Sequence, residues 1–513
     1  MTDRFVEAID AGYGFEGPAV ELGAAMHEET TYPSAAVRVP LAMLNRHGLV
    51  AGATGTGKTK TLQVMAEQLS IAGVPVFISD IKGDISGLGA PGVANEKVTS
   101  RLAALGVTDY APRGFPVEFF TLVREKPGVR LRASVQSFGP ILFAKVLELN
   151  ETQESVLSLA FKYAEDKRMP LVDLADLRAL LNYLDSDRGK ADMAAYGGVA
   201  TATVGVMIRK IVGLEQQDAD AFFGQPEFDV ADFLRTNPDG SGIISVLELA
   251  DMQGRPVLFS TFVLWLLARL YESLPEVGDL ERPKLVFFFD EAHLLFRDAN
   301  KAFLQQIELV ARLIRSKGVG VFFVTHAPKD VPPEVLGQLG NRVQHALRAF
   351  TPDDLEVVKA TAETFPVTEF YDVERELTQL GIGEALVTAL GPKGIPTPTA
   401  RTMMRPPMSL MAQLDPAALG AVVSSSALAS RYATDVDPRS AADLLRPRPS
   451  PSVEVRDPTT PRAGGAKRPT RAPERDRGVD WGDVAKEGAR VARSGTFNTI
   501  LRAILRAFGC GRR

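Results

Sequence analysis

The sequence has few residues that bind metals or form covalent cross-links: one cysteine, Cys510, and five histidines among 513 residues. A single thiol cannot form an internal disulfide, and it excludes zinc or iron–sulfur sites built from several cysteines. Five histidines leave little room for a histidine metal centre. Because this cysteine usage is typical of a reducing compartment, we expect a cytoplasmic protein.

Long apolar runs are also missing. The longest, residues 256–268 (PVLFSTFVLWLLA), includes Ser260 and Thr261 and is shorter than the roughly 18–20 residues that span a bilayer. It predicts a buried helix. Residues 1–20 lack the apolar core of a secretory signal, which also favours the cytoplasm.

Charge is unevenly distributed. The chain holds 58 basic and 63 acidic residues, but residues 438–513 hold 17 basic and 8 acidic ones, so the body is acidic and the tail basic. An acidic body argues against indiscriminate nucleic-acid binding, because phosphate contacts need positive charge. It leaves room for a basic patch inside a pore.

A phosphate-binding pattern lies between an apolar strand pattern at 46–51 and a helical pattern at 60–72. The turn reads GATGTGKT and fits G-x-x-x-x-G-K-[ST]. Its glycines let successive N–H groups face a phosphate, and the helix presents its positive end to the same anion. Lys58 should reach the phosphates, and the Thr59 hydroxyl should ligate Mg²⁺. The candidate nucleotide-binding residues are Gly52, Ala53, Thr54, Gly55, Thr56, Gly57, Lys58, Thr59 and Lys60.

A second pattern is the apolar run LVFFF at 285–289, followed by Asp290 and Glu291. In such a pattern the first acid holds Mg²⁺ through water and the second polarises the attacking water. Together with the phosphate-binding turn, it predicts ATP hydrolysis with ATP and Mg²⁺ as cofactors.

Two further polar residues follow predicted strands. Asp80 ends the strand at 74–79, and ligands bind at the carboxyl ends of parallel strands; the alternative is a simple acidic turn. His326 ends the strand at 319–325, where it would sense the γ-phosphate or orient water. The alternative is a solvated histidine, and both pairs of interpretations stay open.

Taken together, four segments resemble the HerA/FtsK superfamily of ring ATPases, and more closely its YjgR-type, HerA-helicase-like bacterial branch. They are GATGTGKT, DIKGD at 80–84, FFFDEAH at 287–293 and RSKGVGVFFVTHAP at 315–328. By position, Lys58 and Thr59 match the family's Walker A pair, and Asp290 and Glu291 its Walker B pair. The resemblance implies a homo-oligomeric ring, a hexamer, that acts as a translocase or helicase on double-stranded DNA.

The resemblance also points to two arginines. Arg315 matches a segment where such ATPases place a basic residue near the neighbouring subunit's nucleotide, and Arg342 lies where related motors carry a finger arginine. A finger stabilises charge developing on the γ-phosphate. Each could equally be an ordinary surface or ion-pairing residue. Related motors usually carry Gln at the position of His326, so this chain departs from the family pattern at the residue that would orient water.

The implied fold is an α/β P-loop NTPase of the RecA/FtsK type with a mainly parallel central sheet. Residues 438–478 hold eight prolines and ten basic residues, too little apolar surface to offset chain entropy. The predicted divisions are a short N-terminal segment (1–44), the first core part (45–137), a mainly helical insertion (138–275), the second core part (276–410), a helical extension (411–437), a disordered linker (438–480) and a basic amphipathic helix (481–513).

The C-terminal helix supports a different class of function. Its apolar residues recur at helical spacing between Phe497 and Phe508, with Arg502 and Arg506 beside them. Such a helix can lie on anionic lipid, which would suit an ATP-driven switch or scaffold acting on a protein partner at a membrane surface. The alternative is that the stripe docks on the ATPase body or on a partner helix.

Overall fold

The computed structural model describes residues 2–249, 256–278, 280–297 and 301–446. Within these ranges, strands form one twelve-stranded sheet. In chain order the strands are β1 (Ala19–His27), β2 (Thr30–Pro40), β3 (Gly48–Ala51), β4 (Val76–Asp80), β5 (Val117–Thr121), β6 (Val129–Arg130), β7 (Ile244–Glu248), β8 (Leu285–Phe289), β9 (Val319–Thr325), β10 (Asn341–His345), β11 (Glu384–Thr388) and β12 (Ala400–Met404).

The sheet has a parallel block and an antiparallel block. Its order is β2-β1-β12-β11-β10-β3-β9-β8-β4-β7-β5-β6. Neighbours from β10 to β6 pair in parallel, and those from β2 to β10 pair antiparallel. This confirms the predicted α/β fold with a mainly parallel sheet.

Helices cover both faces of the sheet. The α-helices in the described ranges are α1 (Thr2–Tyr13), α2 (Lys58–Ile71), α3 (Glu96–Leu105), α4 (Val135–Val146), α5 (Glu151–Asp166), α6 (Leu174–Asp185), α7 (Asp187–Met193), α8 (Thr201–Glu215), α9 (Pro256–Ser273), α10 (His293–Phe296), α11 (Lys301–Ile314), α12 (Pro333–Leu336), α13 (Pro352–Ala362), α14 (Val373–Gln379), α15 (Pro416–Ser425), α16 (Ala429–Tyr432) and α17 (Ala441–Leu445). No single helix in the described ranges is both long and apolar enough to cross a membrane. The pair Asp187–Tyr196 and Thr201–Glu215 reaches that length and apolar composition only when its two helices are taken together, and they are bent by 105°.

The central strands are apolar throughout because both of their faces are buried. In β8, Val286 and Phe288 join the core cluster that includes residues of α2. The ring of Phe287 points the other way and lies 5.1 Å from that of Phe77 in β4. Phe262 of α9 packs on the same Phe77 ring at 6.2 Å. The longest apolar run is therefore a buried helix over the second face, as the sequence predicts.

The N-terminal residues are part of the sheet, which the sequence did not indicate. Residues 1–44 were predicted as a short segment before the core, but they contain α1 and the β1–β2 hairpin. The sequence of β1, AVELGAAMH, is dominated by small residues, so the two-residue alternation of a strand is weak. Gly23 is required by a close approach to β12, since a Cβ there would lie 1.9 Å from the carbonyl oxygen of Met403.

The region predicted as a helical insertion, 138–275, returns to the sheet once. Helices α4 to α8 account for its first half, but Ile244–Glu248 forms β7, inserted between β4 and β5. Short apolar runs of this kind do not reveal by periodicity whether they are helix or strand. The insertion is thus interrupted by a central strand whose last residue, Glu248, pairs with Asp80.

The predicted linker at 438–480 begins with ordered structure. Helix α17 lies inside it, starts at a capping box between Ser440 and Asp443, and buries Ala441 completely. The backbone N–H of Ala442 donates to Oδ1 of Asp176 in α6 over 2.9 Å. The rest of the predicted linker and the predicted amphipathic helix at 481–513 lie outside the described residues.

A strap of residues 408–414 runs along α2, the helix that follows the phosphate-binding turn. Glu67 of α2 is 1% exposed, and its carboxylate accepts the backbone N–H groups of Met408 at 2.8 Å and Ser409 at 2.9 Å, together with the Ser409 hydroxyl. Gln63 donates to the Leu410 carbonyl at 3.1 Å. The strap therefore depends on a buried carboxylate for its own backbone hydrogen bonds.

Replacing Glu67 should show how much its hydrogen bonds to the strap stabilise the protein. Glu67→Ala leaves buried N–H groups without an acceptor, so we expect the free energy of unfolding to fall by about 2–3 kcal/mol. Glu67→Gln keeps one acceptor oxygen and should lose clearly less. Urea denaturation of both variants would measure the difference; equal losses, or none, would contradict this account of the strap.

Candidate nucleotide site

Parallel pairing brings the polar strand ends to one edge of the sheet. Ala51 at the end of β3 pairs with Thr325 at the end of β9. Phe289 at the end of β8 pairs with Phe323 of β9 and Ser79 of β4. The segments that follow β3, β9, β8 and β4 therefore meet, and these are the four segments singled out in the sequence.

The phosphate-binding turn has the backbone that its glycines permit. Gly52, Gly55 and Gly57 have φ values of 154°, 79° and 120°. A Cβ on Gly52 would lie 2.5 Å from Cβ of His345. Helix α2 begins after Gly57 without a side-chain cap, so the N–H groups of its first turn remain available to an anion.

His345 of β10 packs against Gly52 of the turn. Its Nδ1 lies 2.8 Å from the Glu384 carbonyl oxygen, which can only accept, so Nδ1 donates and Nε2 accepts from the Thr61 hydroxyl at 2.9 Å. Burial lowers the pKa of His345 to about 4, which keeps the ring neutral. From the other side, the Gly383 N–H donates to the Thr56 carbonyl at 2.9 Å. No motif in the sequence marks His345, whose role is visible only in the packing.

The Lys58 ammonium lies inside the turn. It donates to the carbonyl oxygens of Gly52 at 2.7 Å and Ala53 at 3.1 Å, and the residue is 6% exposed. Burial lowers the pKa of Lys58, and the nearby carboxylate of Glu291 acts in the opposite direction. Lys58 is therefore held at the position where a phosphate would meet it.

The remaining residues of the turn divide into two groups. Thr59 is half-buried in the first turn of α2, and Thr54 and Gly55 are exposed at the tip. The Lys60 ammonium turns away and donates to the Met411 carbonyl at 2.8 Å. Lys60 thus secures the strap, while its predicted contribution to nucleotide binding rests on its backbone.

Asp80 builds the turn that follows β4. Its carboxylate accepts the backbone N–H groups of Lys82 at 3.1 Å, Gly83 at 2.7 Å and Ile85 at 2.9 Å. Burial raises the pKa of Asp80 to about 6, against the effect of these hydrogen bonds. The acidic-turn interpretation therefore describes its contacts, and its predicted role in nucleotide binding stays a prediction.

Three carboxylates form an oxygen-rich cluster at this edge. Asp80, Asp84 and Asp290 can each offer an oxygen within 4.8 Å of the others. Oδ2 of Asp290 and Oδ1 of Asp84 are buried and accept no hydrogen bond from the described residues. Burial, with the charges of Glu291 and Asp80, raises the pKa of Asp290 to about 7. Carboxylate oxygens are the donors that Mg²⁺ prefers, so the set fits Mg²⁺.

Glu291 lies at the centre of the site with strained backbone, at a φ of 48°. Its carboxylate forms an ion pair with Lys82 of the DIKGD segment. Its Oε2 lies 3.1 Å from Nδ1 of His293 and 3.5 Å from Nε2 of His326. Burial tends to raise the pKa of Glu291, but the hydrogen bond and charge of Lys82, with the two histidines, hold it below its usual value.

Lys82 and His293 were missed as site residues, although both lie in segments that the sequence singled out. The signal would have been their position just after strands β4 and β8. His326, by contrast, was predicted, and the structure brings it to Glu291. It also lines an open cleft of about 430 Å³ with His293, Arg297, Lys329 and Asp330.

The two candidate finger arginines lie away from this chain's own site. Arg315 is exposed and precedes β9, whose length of seven residues separates it from the site edge by roughly 20 Å. Arg342 is half-buried in β10, opposite Leu49 of β3, and burial lowers its pKa. Neither joins the cluster around Glu291.

Comparison with known proteins gives a consistent assignment. The family model described as Helicase HerA-like C-terminal matches residues 26–513. The chain is 24% identical over 368 residues to the DNA double-strand break repair helicase HerA of Sulfolobus acidocaldarius, over 68% of this chain and 64% of that protein. The chain thus spans less than two thirds of that relative's length.

Solved structures show the same fold. The bacterial conjugative coupling protein TrwB, in an unbound form, aligns with a TM-score of 0.52 and 16% identity over 80% of this chain and 93% of its own. The plasmid coupling protein TrwB in complex with ADP and Mg²⁺ aligns with a TM-score of 0.50 and 16% identity over 79% and 98%.

The raised pKa of Glu248, at the end of β7, should make the stability of the protein depend on pH. Burial and the nearby Asp80 raise the pKa of Glu248 to about 7, with Lys126 opposing them. A carboxyl whose pKa is raised by folding stabilises the protein below its unfolded value and loses that contribution as the pH rises through the folded value. Glu248→Gln removes the ionisation and with it this loss.

We therefore expect Glu248→Gln to match the parent protein near pH 5 and to be more stable near pH 8, by on the order of 1 kcal/mol after discounting for partial exposure. Denaturant unfolding at the two pH values would measure the change. If the two proteins differed in free energy of unfolding by the same amount at both pH values, the raised pKa of Glu248 would be refuted.

Proposed function

The chain belongs to the HerA-like helicase C-terminal family, and on that premise we propose that it is an Mg²⁺-dependent ATPase that assembles as a ring and translocates double-stranded DNA. One observation carries the ATPase part: the phosphate-binding turn, Asp290 and Glu291 meet at one edge of the sheet. The chain's own residues support each step of hydrolysis.

Binding of the phosphates would use the turn and the start of α2. The N–H groups of the uncapped first turn face an anion, and Lys58 would exchange its contacts with the carbonyls of Gly52 and Ala53 for phosphate oxygens. The exchange is favourable, because a bond between the ammonium and an anionic phosphate oxygen pairs two opposite charges, whereas a carbonyl oxygen is neutral. Asp290 and Thr59, with Asp84 nearby, would hold Mg²⁺, which when bound neutralises charge on the phosphates.

Activation of water falls to Glu291. Its lowered pKa keeps the carboxylate ionised at neutral pH, so it can accept a hydrogen bond from water and orient it toward the γ-phosphate. Lys82 holds one carboxylate oxygen, and His293 and His326 lie beside the other. Lys82 is then a positioning residue, since it acts through Glu291.

Ring assembly would complete the site. Arg315 precedes β9, at the strand end opposite the site edge, so as a finger it would serve the nucleotide of a neighbouring subunit. Arg315 is the better finger, because it is exposed, whereas Arg342 is half-buried within β10. A hexamer agrees with the family resemblance, and a ring would also form the pore that DNA needs in a chain with an acidic body.

The direct test is steady-state ATP hydrolysis with Mg²⁺, with and without double-stranded DNA. We expect hydrolysis that DNA stimulates several-fold, that Lys58→Ala abolishes, and that Glu291→Gln abolishes while ATP binding persists. Each variant would first be compared with the parent protein by thermal melting. Lys58-dependent hydrolysis indifferent to DNA would reject the DNA part and favour a protein or lipid partner; normal turnover by Glu291→Gln would reject its assignment.

The finger can be tested by mixing subunits. Arg315→Ala should lower kcat by about 10³-fold, and Arg342→Ala should lower it much less. Inactive Arg315→Ala and Lys58→Ala subunits should regain part of the activity when mixed, because some interfaces then pair an intact turn with an intact Arg315. Arg315→Lys serves as the conservative control, since it keeps the charge but loses the planar fork. Failure of the mixture to recover activity would exclude a finger role for Arg315.

A further inference from the structure

Three metal-binding side chains converge beside the site. The rings of His293 in α10 and His326 after β9 lie 4.9 Å apart, tilted by 35°. Oε2 of Glu291 lies 3.1 Å from Nδ1 of His293 and 3.5 Å from Nε2 of His326. One donor atom from each residue therefore falls within 4.8 Å of the other two.

These separations match those of ligands around one ion. Zinc bonds to nitrogen and oxygen are about 2.0–2.2 Å long, which places two tetrahedral ligands about 3.3 Å apart. Donor atoms within 4.8 Å of one another are close enough for the three side chains to share an ion. With three protein ligands, the fourth position would be open to water or to a phosphate oxygen.

Two of the three donor atoms are buried and make no hydrogen bond with the described residues. Glu291 is 4% exposed. Its Oε2 and Nδ1 of His293 lie 3.1 Å apart, but neither atom makes a hydrogen bond of acceptable geometry within the described part of the chain. The competing cation, Lys82, pairs with the other carboxylate oxygen, Oε1. A buried carboxylate oxygen that faces two imidazole nitrogens without hydrogen-bonding to them would be stabilised by a cation bound among the three.

The other histidines do not offer comparable donors. Both ring nitrogens of His47 are engaged, with the Ala311 carbonyl at 2.6 Å and the Val321 N–H at 3.0 Å. Those of His345 are likewise engaged with Glu384 and Thr61. His27 packs against the ring of Phe5 at 5.1 Å, in the antiparallel block.

We propose that Glu291, His293 and His326 form a second metal site, selective for a divalent transition ion such as Zn²⁺, and that the ion inhibits ATP hydrolysis by occupying the Glu291 carboxylate. The inhibition rests on the proposed ATPase function, whereas binding itself does not. Imidazole nitrogens suit transition ions and oxygen-only sets suit Mg²⁺, so this site and the Asp80–Asp84–Asp290 cluster would take different ions. The open cleft lined by both histidines gives the ion a path from solvent.

Binding can be tested with Co²⁺, whose visible absorption intensifies in a four- or five-coordinate protein site. The full-length protein would be titrated without nucleotide and in excess Mg²⁺, in a Cys510→Ser background that removes the single thiol. We expect one Co²⁺ per chain, displaced by Zn²⁺. His293→Ala and His326→Gln should each weaken binding at least about 10-fold, and His27→Gln should leave it unchanged.

Lys82→Met should strengthen metal binding, whereas the histidine variants weaken it. Removing this cation relieves repulsion and frees Glu291, so affinity should rise by about 10-fold. Thermal melting would show which variants fold, and the two histidine variants, one on α10 and one after β9, provide independent tests. Binding that survives both histidine substitutions, or that excess Mg²⁺ abolishes, would overturn the site.

Inhibition is read separately, as the ratio of hydrolysis rates with and without Zn²⁺ for each protein. We expect this ratio to be well below one for the parent protein and close to one for whichever histidine variant retains measurable hydrolysis. If no protein hydrolyses ATP, the proposed function fails while the Co²⁺ titration still decides the metal site. Bound metal without inhibition would overturn the inhibitory role alone.

Discussion

Parallel pairing of β3, β9, β8 and β4 is the constraint on which the site depends. Each strand ends at the same edge, so the phosphate-binding turn, His326, the Asp290–Glu291 pair and the DIKGD turn meet without any long-range loop. These strands can lie side by side only because helices cover both faces, which accounts for their uninterrupted apolar sequences. The polar residues that follow these strands therefore meet because the sheet is parallel and buried on both faces.

Several carboxylates lie buried at that edge, where removal from water disfavours their charged form. Asp80 is stabilised by three backbone N–H groups and Glu291 by Lys82, while Asp290 retains an oxygen without a hydrogen bond from the described residues. Burial and the charges of Glu291 and Asp80 raise the pKa of Asp290, while the charge of Lys82 opposes them. The oxygen-rich cluster is suited to Mg²⁺, whereas in the Glu291 pocket two imidazole rings offer nitrogen donors.

The antiparallel strands and the strap hold the turn and its helix in place. β10 carries His345 beneath Gly52, and the chain before β11 provides the N–H of Gly383 to Thr56. Glu67 ties the strap to α2 through buried hydrogen bonds. Segments distant in sequence thus position a turn whose own residues are mostly small, and a strap and a sheet extension become part of the site's support.

Local patterns in the sequence determined the turn, the Asp290–Glu291 pair, the parallel core strands and α9, because glycine spacing and apolar runs reflect short-range backbone geometry and burial. The tertiary structure alone decided that residues 1–44 join the sheet, that Ile244–Glu248 is a central strand, and that Lys82, His293 and His345 belong to the site. Strand pairing between segments hundreds of residues apart, as between Gly23 and Met404, leaves no local periodicity. The partner of a buried charge likewise depends on which loops the folded sheet brings together, and no spacing within one segment encodes that.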